Sequence, residues 1–210
     1  MFTFVVVIIG AYLLGSIPTG YLVALLRGVD LRAHGSGNIG ATNAFRVLGK
    51  GPGAFVLLAD ALKGSAAVLV MPDLAFRITG GTPSESLPLI AGVAAILGHN
   101  YTCWLRFKGG KGIATTAGVM ATLVPLGLLI TFLSWLMTFL ATRYVSLASI
   151  VAAIVLPIAT ILTSRNRALW VIAFVFGGLA IWRHRANLQR LRTGTESRIE
   201  FGRKPSPPKP

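Results

Sequence analysis

Acidic residues, histidines and cysteines are all scarce in this chain of 210 residues. It contains six aspartate and glutamate residues, three histidines and one cysteine, Cys103. A single cysteine cannot form an intrachain disulfide bond. Because the potential metal ligands are few and far apart in the sequence, no zinc motif or carboxylate–metal motif is present. The sequence therefore predicts no metal site.

Charged residues are also rare, and hydrophobic residues dominate. Only 12% of the residues are charged, whereas about a quarter are charged in a typical soluble domain. Hydrophobic residues make up 54% of the chain, and its mean hydropathy is +0.72. We therefore expect an all-α integral membrane protein. Residues 1–200 are predicted to form a single membrane domain, followed by a basic, proline-rich, disordered tail at 201–210.

Seven apolar segments are candidate membrane spans, and most of them approach the roughly 20 residues that a helix needs to cross a bilayer; the fourth, 113–124, is too short for a full crossing on its own. The first has no basic region before it, so we expect a retained helix, bent near Pro18, rather than a cleaved signal peptide. Pro72 is expected to end the second segment, and His99 and Asn100 interrupt the third. The predicted spans cover residues 2–26, 52–71, 87–105, 113–124, 126–142, 145–163 and 167–182.

Lysine and arginine are distributed unequally between the loops. With seven crossings, the loops after the odd-numbered spans and the C-terminal segment carry 16 of these residues, and the opposite side carries three. The positive-inside rule then places the N-terminus outside and the C-terminus in the cytoplasm. Anionic lipid headgroups explain the net charge of +14 more simply than nucleic acid does.

A polar, glycine-dense loop is predicted at residues 27–51, between the first two spans. Its central motif is His34-Gly-Ser-Gly-Asn-Ile-Gly-Ala-Thr-Asn-Ala-Phe-Arg46. The glycines allow positive φ and expose successive amide N–H groups, while Arg46 offers a planar fork to an anion. The match to the dinucleotide pattern G-x-G-x-x-G is weak, because a membrane helix precedes it instead of a β-strand. The loop predicts a phosphate site at the membrane surface.

A second glycine-rich loop, Lys108-Gly-Gly-Lys111-Gly112, precedes the fourth span. It resembles half of a P-loop, and its amides would meet an anion at a helix N-terminus. The alternative is an ordinary basic flank of a membrane helix, with glycines that allow close packing. The two readings are equally good for either loop alone. Both loops fall on the predicted cytoplasmic side, which favours an anion-binding function.

Two further pairs of polar residues lie near or within the spans. His184 and Asn187 are three residues apart and would share a helical face if the seventh span continues into the cytoplasm. Asp60 and Lys63 have the same spacing inside the second span, where charges normally pair within the bundle. We interpret the Asp60–Lys63 pair as structural support for the polar site rather than as participants in chemistry.

Taken together, three ordered motifs give the chain a specific resemblance. They are the stretch from Gly35 to Arg46, the stretch from Gly98 to Thr115, and His184-Arg-Ala-Asn-Leu-Gln-Arg-Leu-Arg-Thr-Gly-Thr-Glu196. This combination resembles the bacterial acyl-phosphate-dependent glycerol-3-phosphate acyltransferases, the PlsY family. The resemblance runs from the first span to Glu196.

The resemblance implies a seven-transmembrane-helix bundle with glycine-rich cytoplasmic active-site loops, in the bacterial cytoplasmic (inner) membrane. Such an enzyme moves a fatty acyl group from acyl phosphate to the 1-hydroxyl of glycerol 3-phosphate, giving lysophosphatidic acid and inorganic phosphate. This is the first acylation step of phospholipid biosynthesis. The family needs no metal or organic cofactor, and it acts after a soluble phosphate acyltransferase that makes acyl phosphate.

The resemblance also implies roles for individual residues. The catalytic set would be Ser36, Arg46, Lys111, His184 and Asn187. Substrate binding would involve Gly35, Gly37, Asn38, Asn43, Gly109, Gly110 and Gly112. Glu196 would fix the C-terminal segment. Either His184 or the phosphate of the substrate could accept the proton of the attacking hydroxyl.

Two non-enzymatic functions are alternatives. A small membrane transporter for a phosphorylated anion would also use glycine loops and intramembrane charges. However, the polar motifs gather on one predicted side instead of at the midplane, and no repeated pair of broken helices is visible. A lipid-binding scaffold would explain the basic side but not the glycine–lysine and histidine–asparagine motifs.

Overall fold

The computed structural model describes residues 1–199, and helices are the only regular secondary structure in that range. It contains ten α-helices and one 3-10 helix, Cys103–Leu105, and no strand. The α-helices are α1 (Phe2–Ser16), α2 (Thr19–Leu25), α3 (Ala41–Leu48), α4 (Lys50–Thr79), α5 (Ser86–Asn100), α6 (Ile113–Leu123), α7 (Pro125–Thr142), α8 (Val145–Thr163), α9 (Arg167–Arg183) and α10 (Arg185–Arg192). The predicted tail at 201–210 lies outside the described residues.

Among the described residues, four segments are long and apolar enough to cross a membrane. They are α1 together with α2, α4, α7 and α8. The helices α5, α6 and α9 coincide with other predicted spans but are shorter, at 15, 11 and 17 residues. Many large hydrophobic side chains point outward, Leu58, Leu162 and Met137 among them. The expectation of an all-α membrane protein is confirmed, and the number of crossings stays a prediction.

The first span is broken instead of bent. Helix α1 ends at Ser16 and α2 begins at Thr19, because Pro18 has no N–H to donate. The break takes the Ser16 and Ile17 carbonyl groups out of regular helical hydrogen bonding, although Ile17 O accepts the Thr19 N–H at 3.0 Å. Lys63 Nζ donates to Ile17 O at 2.8 Å, and Thr102 Oγ1 donates to Ser16 O at 2.6 Å. Side chains from distant parts of the sequence therefore complete the hydrogen bonding of the first span.

The prediction that Pro72 ends the second span is wrong. Helix α4 continues through Pro72 to Thr79 and ends at Gly80, whose φ is +61° and whose N–H donates to Phe76 O. A proline within a helix removes one hydrogen bond. In an apolar environment, unwinding the segment would leave more backbone groups without partners, so the helix continues.

The structure also shortens the predicted loop at 27–51. Its second half folds into α3, Ala41–Leu48, and α4 begins at Lys50 after Gly49, which has a φ of +93°. The third predicted span is shorter than expected as well, because α5 ends at Asn100. A tight segment follows it, with Arg106 and Phe107 both at positive φ, 54° and 60°.

The chain forms two compact units. The first, Met1–Leu123, has a core of small and branched side chains from α1, α4 and α5, among them Val7, Ala67 and Ala91. Glycine permits close helix contact in this unit, since a Cβ at Gly118 of α6 would overlap the backbone of Ala61 in α4. The second unit begins at Val124 and contains α7 to α10. The single membrane domain stays a prediction.

Candidate active site

The first predicted anion loop is organised by Asn43, which lies in the first turn of α3. Its side chain is almost fully buried, at 1% exposure. Asn43 Oδ1 accepts the Ser36 N–H at 2.8 Å, and Nδ2 donates to Leu31 O at 3.1 Å and to His34 O at 2.9 Å. All the hydrogens of this amide are therefore used within the chain, which makes Asn43 the residue that fixes the shape of the loop.

The two glycines that flank Ser36 are required by the backbone. Gly35 and Gly37 have φ values of +62° and +68°, in the left-handed region that glycine tolerates best. A Cβ at Gly35 would also overlap Asn43 Oδ1. The N–H groups of Ser36 and Gly37 are donated to Asn43 and to His34 O. Fewer amides therefore face outward than the glycine count alone indicates.

Ser36 is exposed, and Arg46 lies one helical turn after Asn43 in α3. Asn38 Oδ1 accepts the Gly40 N–H at 2.8 Å and so shapes the chain just before that helix. The N-terminus of α3 favours negative charge through the helix dipole. The segment from Ala41 to Arg46 was expected to be part of the loop, and its helical fold is a correction. It places Arg46 on a rigid element.

An exposed ion pair shapes the start of the same loop. Arg32 Nη2 lies 2.7 Å from Asp30 Oδ2, and Arg32 Nε also bonds the carboxylate. These hydrogen bonds lower the pKa of Asp30 to about 2, helped by the positive charge of Arg32. Arg32 is therefore engaged within the chain.

The second predicted anion loop lies against the C-terminal end of α5. Gly109 N–H donates to Asn100 O at 3.1 Å, and Gly110 N–H donates to His99 O at 3.0 Å. A Cβ at Gly109 would overlap His99 O, and one at Gly110 would overlap the His99 imidazole. These two glycines serve close packing, which was the alternative reading of the loop. Lys111 follows them and is half-buried.

Gly112 completes this loop just before α6 begins at Ile113. Its φ is +79°, and a Cβ there would meet Asn100 Oδ1 at 2.6 Å. Two independent reasons therefore require glycine at position 112. The loop holds Lys111 between a packed glycine pair and the first turn of α6, where the helix dipole favours an anion.

A buried polar cluster lies next to this loop, at the end of α5. Lys63 Nζ is 2.8 Å from Asp60 Oδ1, and His99 Nδ1 is 3.7 Å from the same oxygen. The three residues are 7%, 2% and 6% exposed. The ion pair that the sequence predicts is present. The part that His99 plays was missed, and its only signal was a histidine that interrupts an apolar span.

In the second unit, His184 marks a helix junction. Helix α9 ends at Arg183 and α10 begins at Arg185, so the seventh span does not continue as one helix through Asn187, and the condition for a shared helical face is not met. His184 Nδ1 lies 2.7 Å from Ala180 O. Because a carbonyl oxygen only accepts, Nδ1 carries a hydrogen, so in the neutral form of the ring the lone pair lies at Nε2.

Asn187 and Glu196 are joined in the same unit. Asn187 Nδ2 donates to Glu196 Oε1 at 2.7 Å, and Arg190 Nε donates to Glu196 Oε2 at 2.7 Å. Burial by itself would raise the pKa of Glu196. The hydrogen bonds from Asn187, Ser146 and Arg190, with the charge of Arg190, outweigh burial and hold that pKa below its ordinary value. The ionised carboxylate fixes the orientation of the Asn187 amide through its Nδ2 group.

The predicted catalytic residues are thus divided between the two units. Ser36, Arg46 and Lys111 belong to the first, and His184 and Asn187 belong to the second. Within residues 1–199, no group of three histidine, cysteine, aspartate or glutamate side chains is placed to hold a metal ion.

Comparison with known proteins gives matches over nearly the whole chain. The glycerol-3-phosphate acyltransferase family matches residues 5–194. A glycerol-3-phosphate acyltransferase from Desulforamulus reducens is 46% identical over 198 residues, which covers 94% of this chain and 96% of the relative. One from Geotalea daltonii is 46% identical over 193 residues, covering 92% and 96%.

Two crystal structures of PlsY (YgiH), an integral membrane glycerol 3-phosphate acyltransferase, are also similar. The glycerol 3-phosphate form has a TM-score of 0.84 and 44% identity, covering 94% of this chain and 96% of that one. The lysophosphatidic acid form has a TM-score of 0.81 and 43% identity, covering 94% and 95%.

Proposed function

The chain belongs to the glycerol-3-phosphate acyltransferase family, and from that premise we propose that it acylates the 1-hydroxyl of glycerol 3-phosphate. Acyl phosphate is the donor, and lysophosphatidic acid and inorganic phosphate are the products. The observation that carries this conclusion is the match, over 94% of the chain, to an acyltransferase structure in its glycerol 3-phosphate form. The reaction is the first acylation step of phospholipid biosynthesis.

The loops of the first unit suit substrates that both carry phosphate. Ser36 and the outward-facing amides of its loop bind one phosphate, with Arg46 as the charged partner, supported by Asn38 and by the backbone of Gly35 and Gly37. Asn43 acts on that phosphate indirectly, because its amide hydrogens are used to hold the loop.

Lys111 supplies the second charge, at the N-terminal end of α6. Gly109, Gly110 and Gly112 set its position by packing on α5. Charge-assisted hydrogen bonds from arginine and lysine to phosphate are stronger than neutral ones, and they gain strength as charge develops on the leaving phosphate.

His184 and Asn187 are assigned to the attacking hydroxyl. The oxygen of the 1-hydroxyl attacks the acyl carbonyl carbon, and the bond from that carbon to the phosphate oxygen breaks. His184 Nδ1 and Asn187 Nδ2 bond within the chain, so His184 Nε2, in the neutral ring, and Asn187 Oδ1 are the atoms of the two side chains that can accept a hydroxyl hydrogen. The proton goes to His184 or to a substrate phosphate. Acyl phosphate is already activated, so positioning and charge stabilisation suffice.

The membrane arrangement is part of the same proposal. Helices α5, α6 and α9 cross together with the four longer segments, which gives seven crossings, in the bacterial cytoplasmic membrane. The N-terminus lies outside, and the C-terminus and the active site lie in the cytoplasm. The acyl phosphate then comes from a soluble phosphate acyltransferase, and no cofactor takes part.

Phosphate release by the purified protein in lipid tests this function. With acyl phosphate present, release should depend on glycerol 3-phosphate and should be accompanied by equal amounts of lysophosphatidic acid. The Arg46→Ala variant should be inactive at the same protein concentration. If the folded wild-type protein transfers no acyl group, the function is refuted. Uptake of glycerol 3-phosphate into sealed vesicles without any product would instead support a transporter.

A further inference from the structure

The buried charges of the first unit form a continuous path from the break in the first span to the Lys111 loop. Lys63 binds the carbonyl of Ile17, which the Pro18 break has released. It pairs with Asp60 at 2.8 Å, and Asp60 lies 3.7 Å from the His99 ring. Each step is a contact between residues that are at least nine-tenths buried or between one of them and the backbone.

The path continues from His99 directly into the loop. The backbone carbonyl of His99 accepts the Gly110 N–H at 3.0 Å, and the edge of its imidazole lies where a Gly110 side chain would be. His99 therefore contacts the residue before Lys111 through both its backbone and its side chain. A shift or rotation of the His99 ring would displace Gly110, and Lys111 with it.

Stability alone does not account for an ion pair at this depth. Removing two charges from water is costly, and apolar residues of similar volume often stabilise a protein as well or better. Ionisable groups within membrane spans are correspondingly rare, and their presence usually marks a functional site. Asp60 and Lys63 lie in α4, a helix long and apolar enough to cross the membrane.

Resting on the proposed function, we propose that the Asp60–Lys63 pair acts through His99 as a positioning device for the Lys111 loop. The carboxylate fixes the orientation of the His99 ring, and the ring determines where Gly110 and Lys111 lie. Lys63 in turn holds Asp60 in place and ties it to the broken first span. None of the three residues touches the substrate in this scheme. Their loss therefore weakens the binding of the substrate phosphate that Lys111 holds.

A steric exchange between Gly110 and His99 tests the contact. In Gly110→Ala, the new Cβ overlaps the imidazole and displaces the loop, so KM for one substrate should rise about tenfold or more. In the double variant Gly110→Ala, His99→Ala, the Cβ occupies space that the ring has left, and KM should recover partly. Gly178→Ala is the matched control, because Gly178 is exposed, has no neighbour within 4 Å and keeps an ordinary φ.

A charge-to-apolar exchange tests the ion pair. The double variant Asp60→Leu, Lys63→Met keeps the volume of the pair and leaves no unpaired charge. The Ile17 carbonyl loses Lys63 but still accepts the Thr19 N–H at 3.0 Å, so the fold should persist. We expect its thermal midpoint to stay near that of the wild type, while KM for one substrate rises about tenfold and KM for the other changes little. The control is Asp73→Asn, Arg77→Gln, which removes an exposed ion pair from the same helix.

The outcomes separate this inference from the proposed function. A wild-type protein without acyl transfer would refute the function itself. An active wild type whose folded Asp60→Leu, Lys63→Met variant keeps both KM values would refute the positioning role alone. So would a Gly110→Ala variant that His99→Ala fails to improve. A fall in thermal midpoint with unchanged KM values would show a purely structural pair and would also overturn the inference.

Discussion

Replacing Asn43 by alanine should open the Ser36 loop, because this one side chain makes three hydrogen bonds inside it. Two of the bonds end on carbonyls of Leu31 and His34, and the third holds the Ser36 N–H. Each such bond contributes about 1 kcal/mol, and a buried partner left without a bond costs about 1–3 kcal/mol. The local cost is therefore on the order of 3 kcal/mol, or roughly a hundredfold in the fraction of open loop.

Hydrogen exchange of the peptide that contains Ser36 measures this opening directly. Exchange at Ser36 should accelerate in Asn43→Ala, and KM for one phosphate substrate should rise in parallel. Asn43→Asp is the matched variant, since it keeps an acceptor for the Ser36 N–H but loses both donors. It should protect the Ser36 amide better than alanine does. Wild-type exchange and wild-type KM in a folded Asn43→Ala protein would refute the role of Asn43 as the centre of the loop.

Three further outcomes follow from the described contacts. Lys111→Ala should lower kcat/KM, with a loss of about 2–4 kcal/mol of transition-state stabilisation, as measured by steady-state kinetics. A near-normal kcat/KM would contradict the role of Lys111. Thr102→Val should leave the Ser16 carbonyl unpaired and lower the free energy of unfolding by about 1–3 kcal/mol, measured by thermal unfolding; an unchanged midpoint would argue against that bond. The pKa of Glu196 is lower in the folded protein than in the unfolded chain, where it is about 4.3, so its ionisation stabilises the fold above that pH. This stabilisation should disappear as the pH falls through the lower pKa of the folded protein. Glu196→Gln should remove this part of the pH dependence of the thermal midpoint, and an unaltered pH profile would contradict the role of Glu196.

The sequence predicts the membrane helices well where composition decides the structure. Helix α8, Val145–Thr163, has the predicted bounds, and α7 and α9 differ by one residue at one end. Such segments are apolar throughout, so a helix is the one way in which they can satisfy their backbone groups in lipid. In these cases the local composition is enough to predict where the helix begins and ends.

Prediction is poorer where tertiary contacts decide. The expectation that a proline ends a helix is wrong at Pro72. The surrounding helix packs against its neighbours, and outside a helix its backbone groups would have no hydrogen-bond partners in lipid. Helix α3 is hidden in a glycine-dense stretch, and it forms where Gly40 and Asn38 provide its start. At Pro72 and in α3, local helix propensity predicts the structure poorly, since contacts with the rest of the fold override it.

The candidate site shows the same division. The loops around Ser36 and Lys111 are visible as glycine-rich motifs, since glycine requirements are local. The internal use of their amides, by Asn43 and by the end of α5, is not visible, because it depends on which side chains the fold brings near. The contact between Asp60 and His99 joins two different helices, and a single sequence carries no signal for such a pair.

The chain is made from its N-terminus, so the broken first span enters the membrane before either of its hydrogen-bond donors exists. Lys63 and Thr102, which donate hydrogen bonds to the Ile17 and Ser16 carbonyls, are synthesised later than these carbonyls. Until then, water at the membrane interface is the ready partner for these groups, since lipid offers none. The N-terminal segment should therefore settle to its final depth only after α5 has been inserted. Ribosome-bound intermediates that end between α4 and α5 already contain Lys63 but lack Thr102, so they should leave the Ser16 position open to water-soluble reagents, and ones that extend past Thr102 should protect it.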